Sequence, residues 1–466
     1  MSFQTKADAN ANAKANLASL PTETIEHILL CTTQKDMISL SRTNKLFHRV
    51  TTSRIFETVE LKLQSLDQAC LDRVRGRLYL LLRSILENPA LAELLRSFSL
   101  SAFGNTFSGP ISRVNQPEEF LTAREEQIAV NVISQTNLAT EKAAWIRSLR
   151  EREVDSVVAL ILALSPNLRF LGLDINFFPP PGVPILSMVL KHMFVKDSSS
   201  WALCSLQQLK TLELKIPPPY SEPPIEFSGF LECCYAPAIH DVTTTLPKSW
   251  RLAQLGQRPQ FSSLRHLKLR HTQAMAGQLR ELLSSTPNLQ SLQYDFYCIV
   301  DSGGVNDAYV YGSAISRAIE EVKSSLVKLV LSITMAARTA TEISAGLRWG
   351  IRGQMASLQQ FERLQYLEVP LALLLGWSPQ LAPALDDILP RSIQNLYITG
   401  HLDDFSNWEW TADDTLQQLR QLVTAQKTRF PDLESVTTRL EDLEELKEIR
   451  STWYGLNLLS SEAGFV

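Results

Sequence analysis

Apolar positions along this chain follow two rhythms. From residue 95 onward the pattern L-x-x-L-x-L, or a close variant, recurs eight times: LRSFSL at 95, LRFLGL at 168, LKTLEL at 209, LRHLKL at 264, LQSLQY at 289, LVKLVL at 326, LQYLEV at 364 and IQNLYI at 393. The second half of each copy alternates apolar and polar, as a half-buried strand does. A helix is excluded, because continuing the stripe of Leu264 along a helical face lands on Lys268 and His271. Most copies follow an apolar helical stretch and a turn, as in DSVVALILALSPNLRFLGL and AGQLRELLSSTPNLQSLQY, where Pro166-Asn167 and Pro287-Asn288 mark the helix exit. The repeating unit is therefore helix, turn, strand.

The stretch from Leu20 to Leu61 keeps the helical rhythm. Pro21 suits a first helical turn, and Glu23 and Glu26 favour the positive end of the helix dipole. Ile25, Ile28 and Leu29 form one apolar stripe, and Thr32, Thr33, Gln34 and Lys35 break it. Asp36 is a good N-cap for a second short helix carrying Met37 and Leu40, and a third carries Phe47 and Val50. Three short helices in about forty residues build a small core that needs a partner or a neighbouring domain, so exposed apolar residues are expected.

These residues resemble the F-box family, whose pattern runs from a Leu-Pro start through an Ile-Leu pair to an Asp-Leu step and a Ser-Leu-Ser-x-x-x-Lys segment. Leu20-Pro21, Ile28-Leu29, Asp36-Met37, Ser39-Leu40-Ser41 and Lys45 occupy those places. Thr32 stands where the family usually has leucine, and Asn44 where it often has cysteine. The resemblance implies docking on a Skp-type adaptor, and through it on a cullin scaffold for ubiquitin transfer. The implied adaptor-binding residues are Leu20, Pro21, Ile25, Ile28, Leu29, Met37 and Leu40.

The helix-turn-strand units look like leucine-rich repeats, which stack so that strands form one parallel sheet and helices the opposite wall. Their starts are 25 (264 to 289) to 73 (95 to 168) residues apart, so the array is irregular, with a helical insertion around residues 118 to 153. The expected fold is α/β: a small three-helix F-box followed by an irregular leucine-rich-repeat-like solenoid with parallel strands on the concave face and helices on the convex one. The expected divisions are a disordered leader over 1–18, the helical module over 19–62, the array over 63–440 and a C-terminal helical cap over 441–466. Proline-rich stretches at Phe178 to Pro184 and Pro217 to Pro224 predict loops, the second opening a long insertion to residue 261.

In such an array the residues flanking the second leucine of each motif face outward. The candidate target contacts are Lys215, His266, Lys268, Arg270, Lys328, Tyr366 and Tyr397, the cations being suited to an acidic or phosphorylated segment.

Composition narrows the classes. A formal net charge of -4 over 466 residues lacks the basic footprint that nucleic acid or an anionic membrane would require. The longest apolar runs, VVALILAL at 157 and LALLL at 371, are far short of the ~20 residues of a bilayer span. Six scattered cysteines match neither a disulfide framework nor a metal pair, which predicts a reducing compartment, cytoplasmic or nuclear. The seven histidines form no H-E-x-x-H, and Gly346, Gly350 and Gly353 no phosphate loop. The expectation is a non-enzymatic adaptor without cofactor or metal, with a non-ligase repeat scaffold as the alternative.

Overall fold

The computed structural model describes residues 17–63, 68–102, 121–136, 138, 141–174, 184–194, 206–215, 234, 236–246, 260–272, 275–300, 308–337, 349–400, 409–438 and 457–460. Three helices come first: α1 (Thr22–Leu30), α2 (Gln34–Ser41) and α3 (Lys45–Glu57). The second begins two residues before the expected cap. Thr33 is its N-cap, its hydroxyl oxygen accepting the Asp36 backbone N–H at 3.2 Å. Asn44 caps α3 in the same way, its Oδ1 accepting the N–H of Phe47 at 2.8 Å. Both contacts satisfy a donor that a helix start leaves without an intrahelical partner.

The strands are β1 (Thr58–Leu63), β2 (Ser97–Ala102), β3 (Phe170–Asp174), β4 (Thr211–Lys215), β5 (Asp241–Thr244), β6 (His266–Thr272), β7 (Ser291–Val300), β8 (Ala308–Tyr311), β9 (Lys328–Ala337), β10 (Trp349–Arg352), β11 (Tyr366–Pro370), β12 (Asn395–Thr399), β13 (Ser435–Thr438) and β14 (Asn457–Ser460). Twelve of them build one sheet in chain order, β8 and β10 pairing with each other instead. Every pairing in that sheet is parallel. All eight strands expected from the L-x-x-L-x-L copies are present, and β5 lies inside the stretch expected to be an insertion loop. Both proline-rich stretches lie outside the described residues, except Pro184, which opens the helix Pro184–Phe194. Of the expected C-terminal cap, the described part is β14, a strand rather than a helix. The expected helical insertion is present as Ala123–Ser134 and Glu141–Arg150.

The register explains the motif. Leu171, Leu212, Val242, Leu267, Leu292, Leu329, Leu367, Leu396 and Val436 stand side by side in one row across the sheet, all buried. With two-residue periodicity the row lies on one face only. That face packs in one continuous core with Leu78, Leu82 and Ile85, with Val157 to Ala163, and with Leu279, Leu283, Leu416 and Leu419 of the covering helices. The helix Val154–Leu164 is apolar all round from Val157 onward and packs against three other helices, which accounts for its burial.

Before the strands a tight turn recurs. Leu209, Ile239, Leu264, Leu289, Leu364, Ile393 and Leu433 each donate a backbone N–H to the carbonyl three residues earlier. The turns are also stitched to one another: the N–H of Lys210 reaches Arg169 O, His240 reaches Lys210, Arg265 reaches His240, Gln290 reaches Arg265, Val327 reaches Gln290, Gln365 reaches Val327, Gln394 reaches Gln365 and Glu434 reaches Gln394, all at 2.8 to 2.9 Å. The Pro-Asn turns add side-chain links, Asn167 Nδ2 donating to Glu93 O at 2.7 Å and Asn288 Nδ2 to Ser262 O at 2.8 Å.

Candidate functional site

Two surfaces collect the residues singled out in the sequence. The first is the helical module. Ile25, Leu29, Phe47 and Val50 form a small core of their own, separate from that of the sheet, with Met37, Leu40, Ala18 and Leu46 packed around it. Ile25 and Leu29 are 1% and 2% exposed, so as implied adaptor contacts they are corrected: they hold the module together. Ile28, Met37 and Leu40 are half-buried, and Leu20 and Pro21 are exposed. The apolar surface instead comes from Leu17, Leu20, Leu30 and Ile38, of which Leu30 is 63% exposed. Leu30 and Ile38 went unnoticed in the sequence. The signal was a third consecutive apolar residue in Ile28-Leu29-Leu30, since one helical face cannot bury all three.

The module is not detached from the sheet. Phe56 of α3 packs against the main core, Gln34 Nε2 donates to Ile55 O and Thr58 O at 3.4 and 3.2 Å, and α3 runs directly into β1.

The second surface is the polar face of the sheet. Two outward rows cross it. One carries Thr211, Asp241, His266, Ser291, Lys328, Tyr366 and Asn395, and the other carries Glu213, Thr243, Lys268, Gln293, Val330, Glu368 and Tyr397. Lys268 and Lys328 sit two strands apart, with Ser291 and Gln293 of β7 between them. Burial, together with the positive charges of Arg270 and Lys328, holds the Lys268 ammonium below its ordinary lysine range, while Glu213 works the other way. Lys328 rests on the Tyr366 ring with its Nζ 4.2 Å from the centroid, and Tyr366 stacks on Tyr397 at 5.1 Å. The Tyr366 hydroxyl donates to Glu368 Oε2 at 2.9 Å. Burial and that carboxylate together push the phenol well above its usual range.

The sheet thus joins Lys268, Arg270, Lys328, Tyr366 and Tyr397. His266 is half drawn away, its Nε2 4.0 Å from Asp241 Oδ1. Lys215 stands two strands from β6, opposite Asp174, outside the cationic group. Val330, although at an outward position, is buried.

At the C-terminal end of these strands lies a polar cluster that the sequence did not reveal. Opposite Tyr294-Asp295-Phe296 of β7, β6 spends one extra residue between Leu269 and Thr272, a bulge that turns His271 to φ 46°. Asp295 Oδ2 accepts the His271 backbone N–H at 3.0 Å and lies 3.2 Å from the ring Nδ1, while Oδ1 accepts the hydroxyls of Ser332 and Thr334, each at 3.1 Å. Serine, histidine and aspartate meet here, but the carboxylate stands between hydroxyl and imidazole. The serine proton is directed to the acid rather than to the histidine, so the order needed for an activated nucleophile is not formed. The cluster fixes the register of β6, β7 and β9.

No known family model matches this chain, nor does any curated protein. Among the described residues no helix is long and apolar enough to cross a membrane, and no group of histidine, cysteine and acidic side chains could hold a metal ion.

Proposed function

We propose that this chain is a substrate-recognition adaptor of an F-box type ubiquitin ligase: the module α1–α3 docks on a Skp-type adaptor, and the sheet presents a target protein to ubiquitin carried by other subunits. The observation that carries this reading is the crowding of Leu17, Leu20, Leu30 and Ile38 on a unit whose own core is four residues. Exposed apolar side chains concentrated in that way mark a contact surface. The recurring turn, the ladder stitching one turn to the next and the row of buried leucines and valines across the sheet support the remainder being an irregular solenoid of leucine-rich-repeat type, whose extended face serves binding. The chain itself performs no catalysis in this reading and contributes proximity.

The test is capture of a purified Skp-type adaptor by the tagged full chain, comparing wild type with Leu30→Asp, Ile38→Asp. Capture by wild type and its loss in the double variant, with an unchanged circular dichroism spectrum, supports the reading; no capture by wild type overturns it. The contact of Phe56 and Gln34 with the start of the sheet favours a second reading, a scaffold whose helices only cap the first strand. In that case Leu30 and Ile38 are dispensable for every partner.

A further inference from the structure

The cationic patch on the polar face is bounded. Lys268, Arg270 and Lys328 stand on β6 and β9, with the half-buried polar side chains Ser291 and Gln293 on the strand between. At about 4.8 Å per strand the two lysines lie on strands roughly 10 Å apart. On one side the same rows turn acidic, with Glu213 on β4 and Asp241 on β5, and on the other Glu368 follows on β11. A long polyanion, whether nucleic acid or a run of acidic residues, would meet carboxylates at both borders. A single compact dianion fits between them.

We propose that the patch is a phosphate site, which takes one phosphorylated side chain of an otherwise weakly charged protein segment lying across β6, β7 and β9. Lysine ammonium groups and a guanidinium donate charge-assisted hydrogen bonds to phosphate oxygens, and the hydroxyl of Ser291 and the amide of Gln293 add neutral donors beneath them. Lys328 is steadied by the Tyr366 ring, and the Tyr366–Tyr397 stack offers a flat apolar shelf for the residue that follows the phosphate. Burial is the main cause that holds Lys268 down and the charges of Arg270 and Lys328 add to it; that added repulsion is relieved when the dianion arrives. The inference rests on the reading that the sheet face receives the target, and it adds the modification that the target must carry.

The experiment uses the full chain and fluorescence anisotropy with four probes: a short degenerate peptide pool fixed at phosphoserine, the same pool with serine, the same pool with glutamate, and a short uridine RNA. The phosphoserine pool should bind at least about tenfold more tightly than the serine and glutamate pools, since a hydrogen bond to a charged group is worth about a factor of ten or more. Lys268→Ala, Lys328→Ala should abolish the preference, and Lys215→Ala, outside the patch, should keep it. Equal binding of the three pools, tighter binding of RNA, or no binding of any pool overturns the phosphate site. Adaptor capture through the helical module is read separately: binding of the phosphoserine pool without adaptor capture leaves the phosphate site standing and removes the ligase reading.

Discussion

Asp155 shows how one side chain carries a cost that depends on pH. It is 4% exposed at the start of the helix Val154–Leu164, and its Oδ2 accepts the N–H of Ile185 at 3.0 Å, tying the start of the next helix to it. Burial is the main reason its carboxyl is pushed up to about 6, and Glu153 adds to that. An unfolded aspartate titrates near 4, so between about pH 4 and 6 the folded chain holds the extra proton and stability falls as pH rises. Well above pH 6 the cost is complete, about 3 kcal/mol. Asp155→Asn keeps an acceptor for Ile185 without the charge. Urea unfolding should therefore show the variant gaining roughly 2 kcal/mol on wild type between pH 4.5 and 7.5, and a gain toward acid pH would contradict this account. At this scale the sequence was legible where type and position coincide, as at Asn167 and Asn288, whose place after proline marked the turns they bridge. Asn44, a departure from the F-box pattern, is an N-cap, a role that spacing from Phe47 alone did not reveal.

Among the elements, the strands were legible wherever a turn is followed by large apolar residues at both inward positions, as with Leu267 and Leu269 or Leu292 and Tyr294. β5 and β13 were missed because threonine follows valine in their inward row, as in DVTT and SVTT, and β1, whose inward Leu61 and Leu63 are buried, because it runs straight on from α3 without a turn. Such segments are strands because parallel neighbours take up their backbone hydrogen bonds, a tertiary effect that no local pattern carries. The register makes a sharp contrast testable. Leu292, 0% exposed in the buried row, should cost about 2 to 5 kcal/mol when changed to alanine. Gln293→Ala, one residue along on the polar face, should stay within about 0.5 kcal/mol. Comparable losses at both positions in urea denaturation would mean that the face assignment is inverted. The bulge at His271 was invisible beforehand, since one extra residue in a strand leaves no compositional mark, and with it the Asp295 cluster was missed.

For the whole molecule, two cores of very different size sit in one chain, the smaller built from Ile25, Leu29, Phe47 and Val50. Small cores open at lower free energy. Hydrogen exchange should find the amides of α1 and α2 less protected than those of β6, β7 and β9, and Leu29→Ala should speed exchange in the helices while leaving the sheet unchanged. Uniform protection across both would show one cooperative unit. The three helices were readable from their rhythm, but the expected helical module also covers most of β1, and which apolar residues face outward was not readable, because that depends on how three helices cross.

In the proposed function this chain binds two partners through two surfaces, the helical module and the polar face of the sheet. The most direct test measures both at once, adaptor capture and phosphoserine-pool binding, in wild type, in Leu30→Asp, Ile38→Asp, and in Lys268→Ala, Lys328→Ala. A double dissociation is expected: the first variant loses only the adaptor and the second only the peptide. Loss of both activities in either variant, or of neither in both, would contradict it.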